Sequence, residues 1–173
     1  VGHPIVDRYH NVGDNRQCRR KLDLPDDAKI IALLPGSRRQ EIRRMLPVMA
    51  DAIRRLKRNH PEIYTAIAGV DHIDEQYYRR YGSRLADRIV FGKTPEIISA
   101  ADFVITSSGT ATIETAFFTT PMVVIYKTGF VTYQIARRLV TLDAIGMVNI
   151  VAGKKIVPEL IQHQAGGIAI ARH

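Results

Sequence analysis

Two hydrophobic periodicities alternate along this chain, and their order limits the folds open to it. Residues 29–34 hold five consecutive apolar side chains, Ile30 to Leu34, stopped by Pro35-Gly36. A short apolar run closed by turn residues is the pattern of a strand covered on both faces. Beyond it Ile42, Met45, Leu46, Met49, Ile53 and Leu56 recur at helical spacing, while Arg43, Arg44, Arg54, Arg55 and Lys57 fall on the other faces. Pro47 lacks the amide hydrogen an interior helix position needs. The regular helix is therefore expected to begin near Leu46, with Pro47 in its first turn and a long loop after the first strand.

The alternation continues. Strands are predicted over 63–68, 88–91, 102–106 and 121–126, and helices over 16–22, 72–86, 94–101 and 130–142, with a further helix opening at 107–114. The pattern closes with a strand over 147–151 and a helix begun by Pro158. Strands alternating with helices imply an α/β domain: a Rossmann-like parallel sheet of about six strands flanked by helices, with right-handed crossovers. The length of 173 residues suits one such domain. Ligands of these folds sit outside the carboxyl ends of the strands. The loops after Leu34, Thr106, Tyr126 and Ile150 are thus the segments to search for chemistry.

Several function classes drop out. No apolar run approaches the ~20 residues of a membrane-spanning helix, and no basic-then-apolar secretory start is visible. Cys18 is the one cysteine, which excludes an intrachain disulfide and a multi-cysteine zinc site. The six histidines make no spaced metal pair, and Asp71-His72-Ile73-Asp74 reads as a turn and helix cap. No Ser-His-Asp or Cys-His arrangement can be argued, so neither metal nor cofactor is expected, and the compartment is expected to be cytoplasmic. The formal charge of +8 favours anionic partners, either phosphorylated ligands or an anionic membrane face. With no Trp and no interleaving of basic and aromatic residues, nucleic acid is not expected among them.

Two loops stand out for anions. In Pro35-Gly36-Ser37-Arg38-Arg39, Gly36 lets backbone N–H groups approach a ligand, Ser37 offers a hydroxyl, and Arg38 can grip phosphate oxygens with two prongs. The Gly-Lys-Ser/Thr ending of a Walker loop is missing. Ser107-Ser108-Gly109-Thr110 starts a helix with small polar residues, leaving amides and the positive dipole end for a diphosphate. Glu114 follows about one turn later, where its carboxylate can accept both hydroxyls of a ribose. Each block also reads as an ordinary turn or cap. Two such loops at neighbouring strand ends favour the ligand reading. Asn149 is a polar residue at an apolar strand end that contacts either sugar or phosphate, or closes a local turn. Glu159, beside Pro158, is expected to complement a helix dipole.

These blocks resemble one family in order. Leu33-Leu34-Pro35-Gly36-Ser37-Arg38-Arg39-Gln40-Glu41-Ile42 is similar to the phosphate-loop motif of the lipid-A-disaccharide synthase family. Ser108-Gly109-Thr110-Ala111-Thr112-Ile113-Glu114 and Thr120-Pro121-Met122-Val123-Val124-Ile125-Tyr126-Lys127 resemble its next two blocks. Asn149-Ile150-Val151-Ala152-Gly153 and Val157-Pro158-Glu159-Leu160-Ile161-Gln162 resemble its last. The likeness runs from Val1-Gly2-His3-Pro4 to Gln162.

The resemblance implies the C-terminal, donor-binding domain of a GT-B glycosyltransferase, with residues 1–14 an interdomain segment and 15–173 the UDP-sugar-binding domain, cut short at its end. It implies hexosyl transfer from UDP-2,3-diacylglucosamine to 2,3-diacylglucosamine 1-phosphate, without a metal. Gly36, Ser37, Arg38, Ser107, Ser108, Gly109, Thr110, Glu114 and Asn149 would bind the donor. Arg38, the 107–110 helix start and Asn149 would neutralise the departing diphosphate, and Glu114 would hold the ribose. Acceptor site and general base would lie in an N-terminal domain absent here, so this chain is expected to be inactive alone. Acylated substrates imply work at the cytoplasmic face of the inner membrane, with Arg137 and Arg138 facing anionic lipid, the cleft or water. The rival readings are another GT-B enzyme of UDP-N-acetylglucosamine (a peptidoglycan glycosyltransferase or a 2-epimerase) and a free-standing, non-catalytic anion-binding module.

Overall fold

The computed structural model describes Tyr9 and residues 11–82, 86–127 and 144–173. Helix α1 (Asn15–Lys21) precedes strand β1 (Ile30–Leu34), and α2 (Arg39–Asn59) leads to β2 (Tyr64–Gly69). Next come α3 (Glu75–Tyr81), β3 (Arg88–Phe91), α4 (Thr94–Ala100), β4 (Phe103–Ser107), α5 (Thr110–Phe117) and β5 (Met122–Tyr126). The described chain ends with α6 (Met147–Ala152), β6 (Glu159–Ile161) and α7 (Gly167–Ile170). The strands form one sheet in the order β3-β2-β1-β4-β5-β6, and every neighbouring pair is parallel. The α/β reading and its parallel Rossmann-like sheet are what the structure contains.

All five residues of β1 are buried because both faces of the sheet are covered. Ile30, Ala32 and Leu34 point to one core with Cys18, Leu22, Ile97 and Ile98. Ile31 and Leu33 point to the other, where α2 lays down Ile42, Met45, Leu46, Met49 and Ile53 beside Tyr78. Buried Arg19 ties the first layer together. It donates to the carbonyls of Asp26 (2.7 Å), Ala28 (3.1 Å) and Ala100 (3.0 Å) and pairs with Asp102 at 2.9 Å. Asp102 in turn accepts the Ile30 amide at 2.7 Å.

Two expectations need correction. Helix α2 does not wait for Leu46 but runs straight through Pro47, so the connection after β1 is only residues 35–38. Pro47 is exposed and neighbours exposed Arg43, whose carbonyl loses its helical donor on the solvent side. The apolar row is buried and unbroken on the opposite face, and its packing outweighs one missing bond.

At the other end the two elements are exchanged: 147–152 is a helix and 159–161 an edge strand. The apolar run of α6 looked like a buried strand. Yet only Val148 and Asn149 are buried, whereas Met147, Ile150 and Val151 are exposed. Gly153 ends the helix in the left-handed region at φ 65°. Pro158 comes just before β6, where its missing N–H removes no ladder bond, and its carbonyl accepts the Val124 amide at 2.9 Å. The helix expected over 130–142, with Arg137 and Arg138, lies outside the described residues.

Candidate functional site

β1 and β4 are adjacent and parallel, but the chain leaves them toward opposite edges of the sheet. That divergence opens a crevice above their carboxyl ends. Leu34 pairs with Thr106, so the loops after β1 and β4 emerge at the same height. A cavity of about 550 Å³ lies between them. Gly36, Ser37 and Arg38 line it from one side, and Ser107, Ser108, Gly109, Thr110 and Glu114 from the other. Every expected site residue except Asn149 therefore meets at one place.

The β1 loop is held in a strained shape by a carboxylate. Gly36 adopts φ +107°, and a Cβ there would run into Glu41, whose own Cβ would be 2.7 Å away. Glu41 Oε2 accepts the amides of Ser37 (2.9 Å) and Arg38 (3.2 Å), so these N–H groups are already engaged. This corrects the expected backbone cradle. What the loop presents is the Arg38 guanidinium, whose side chain is 83% exposed. His72 Nε2 contacts the Ser37 carbonyl at 3.1 Å, and the Tyr77 hydroxyl donates to the Arg39 carbonyl at 3.0 Å. The 71–74 turn thus also braces the loop.

Across the crevice, Gly109 is the N-cap of α5, and nothing lies within 4 Å of where its Cβ would be. The Thr112 amide donates to the Gly109 carbonyl at 3.1 Å, whereas the first two amides of α5, those of Thr110 and Ala111, have no intrahelical acceptor, and both residues line the cavity. Buried Thr112 donates to the Gly109 carbonyl at 2.7 Å and accepts the Val148 amide at 3.2 Å, locking the helix start against α6. Glu114 is half-buried, and its Oε1 accepts the Tyr9 hydroxyl at 2.9 Å. Tyr9 packs against Phe117 and Phe118 and lines the cavity. It lies within the segment read as interdomain, where no motif marks a lone tyrosine as part of a site.

Asn149 is not in the crevice. It is 1% exposed, and its amide donates to the Val157 carbonyl (2.9 Å) and to Glu159 Oε1 (2.7 Å). Its oxygen accepts the amides of Ile156 (2.8 Å) and Val157 (3.0 Å). Four bonds fill the capacity of an Asn side chain, so the expected contact with sugar or phosphate gives way to an internal brace. Glu159 also accepts the amides of Ile145 and Gly146, both at 2.9 Å. It does complement a helix dipole, but that of α6.

A second cavity of about 450 Å³ adjoins the first behind Arg38, Glu41, Ser107 and Ser108, which line both. Among the described residues, no group of three or more His, Cys, Asp or Glu is placed to hold a metal ion, and no helix is long and apolar enough to cross a membrane.

Compared with known families, residues 1–172 match the model of the lipid-A-disaccharide synthetases. The chain belongs to the lipid-A-disaccharide synthetase family. It is 41% identical to the lipid-A-disaccharide synthase of Syntrophus aciditrophicus, over 99% of this chain and 45% of that protein. To lipid-A-disaccharide synthase 1 of Legionella pneumophila strain Paris it is 37% identical, over 100% and 46%. This member of the family therefore spans about half the length of those relatives. Among solved structures it resembles the E. coli ADP-heptose LPS heptosyltransferase II, with a TM-score of 0.58, 9% identity and coverage of 91% and 49%. It also resembles the UDP-GlcNAc 2-epimerase of Neisseria meningitidis, with a TM-score of 0.52, 14% identity and coverage of 97% and 49%. Those two likenesses are of fold alone.

Proposed function

We propose that this chain is the donor-binding half of a lipid-A-disaccharide synthase of the GT-B type, holding UDP-2,3-diacylglucosamine while its sugar passes to 2,3-diacylglucosamine 1-phosphate. The observation that carries the reading is the meeting of the Arg38 loop, the α5 start and Glu114 on one cavity at the switch point, in a chain of this family. Arg38 and the first amides of α5 neutralise the diphosphate as the bond to the sugar breaks, the kind of charge stabilisation that preorganised donors supply. Glu114 takes the ribose hydroxyls, held in orientation by Tyr9. Asn149 acts at a distance by fixing the turn at 156–157 and Glu159. The acceptor site and the base that takes the acceptor's proton belong to the part of the relatives' length this chain does not span. The acylated substrates support an inner-membrane, cytoplasmic-face setting.

The test is transfer from UDP-2,3-diacylglucosamine in the longer protein carrying this segment. Arg38→Ala is expected to lower kcat by roughly 100-fold, the scale of losing one leaving-group donor. Undiminished turnover, or equal use of UDP-N-acetylglucosamine as donor, would reject the reading.

A further inference from the structure

The smaller cavity shares Arg38, Ser107 and Ser108 with the donor crevice, and its other walls add further cationic side chains. Arg38, Arg39, Arg44 and Lys127 line it with the hydroxyl-bearing Ser107 and Ser108. Glu41, the one carboxylate lining it among the described residues, is engaged by the Ser37 and Arg38 amides and lies 3.9 Å from the Arg38 guanidinium. Arg44 and Lys127 are half-buried, and among the described residues neither has an ion-pair partner. Withdrawing cations from water without a counter-charge is unfavourable, so such a site favours an arriving anion. Arg39 is steadied over the Tyr77 ring at 5.1 Å. The start of α2, a 21-residue helix, adds its positive dipole end.

We propose that this cavity is a second anion subsite that takes a phosphomonoester beside the donor's diphosphate. Guanidinium forks from Arg39 and Arg44 match the oxygens of a tetrahedral dianion, and Lys127 supplies a point charge. Serine hydroxyls complete the donor set, whereas a carboxylate ligand would leave much of it unused. Because Arg38 and the two serines form the shared wall, the two phosphates would lie on either side of it. The placement of the diphosphate rests on the donor reading; the cationic cavity does not.

The test is calorimetry on this chain, with and without UDP, using glycerol 3-phosphate as a soluble phosphomonoester and vesicles containing phosphatidic acid as the lipid-borne form. Glycerol 3-phosphate is expected to bind the UDP-loaded chain, and Arg44→Ala with Lys127→Ala to weaken it by about tenfold or more. The pair should leave UDP affinity unchanged, and Arg58→Ala, an exposed charge near the far end of α2, should change neither. Variant-sensitive binding confined to the vesicles would uphold the subsite and assign its phosphate to lipid. Variant-sensitive glycerol 3-phosphate binding without UDP binding would uphold the subsite and reject the donor reading. The proposal is overturned if neither probe binds in a way these substitutions alter. It is equally overturned if the double variant weakens UDP as much as Arg38→Ala does, since the cavity would then be part of the diphosphate site.

Discussion

Glu41 occupies, inside the protein, the position an anion would take on a bare loop. By accepting two amides it fixes Gly36 at φ +107° and leaves Arg38 exposed, so what the loop offers a ligand is a side chain rather than its backbone. A comparable device acts on Glu114, where the Tyr9 hydroxyl holds one carboxylate oxygen. If Glu114 takes the ribose hydroxyls, Glu114→Ala should weaken UDP more than it weakens pyrophosphate. Tyr9→Phe should do the same to a lesser degree, by about 1 kcal/mol. Equal losses for both ligands, measured by calorimetry, would remove the ribose assignment.

At the level of elements, the sheet was legible because β1 to β5 carry short apolar runs bounded by turn residues, and that pattern needs no tertiary information. Pro47 was misread because local chemistry forbids it in a helix interior, while the decision belonged to the buried row on the other side. Pro47→Ala should restore a donor to the Arg43 carbonyl and stabilise the protein by on the order of 1 kcal/mol; a lower melting temperature would mean that the ring itself contributes. The exchange at the C-terminal end has a different cause. The apolar run of α6 is mostly exposed, and each partner that defines β6 is 35 residues away in sequence, as in Val124 with Glu159. The loops around Gly36 and Gly109 could be picked out as a candidate anion site from their residue types, whereas Tyr9 and the saturation of Asn149 depend on contacts no spacing reveals.

The docking of α1 on α4 carries a titration. Burial raises the Glu96 pKa, but the Lys21 hydrogen bond at 2.9 Å, Glu96's own backbone amide and the Lys21 and Lys93 charges outweigh it, so the carboxyl ends below its ordinary value. A depressed folded-state pKa contributes stability that is present above the unfolded value of about 4.3 and lost as pH falls through the folded one. Urea midpoints should therefore fall more for wild type than for Glu96→Gln between neutral pH and the acid side of that window. Parallel curves would show that the pair adds nothing.

For the whole molecule, the parallel sheet brings the Arg38 loop and the small polar start of α5 together at one switch point. The central claim is that this crevice holds a nucleoside diphosphate through Arg38. Calorimetric titration of UDP into this chain and its Arg38→Ala variant tests it most directly. The account predicts measurable binding that Arg38→Ala weakens by roughly tenfold or more, the loss of a charged hydrogen bond worth about 1.5–3 kcal/mol. UDP affinity that is the same in both proteins would contradict it.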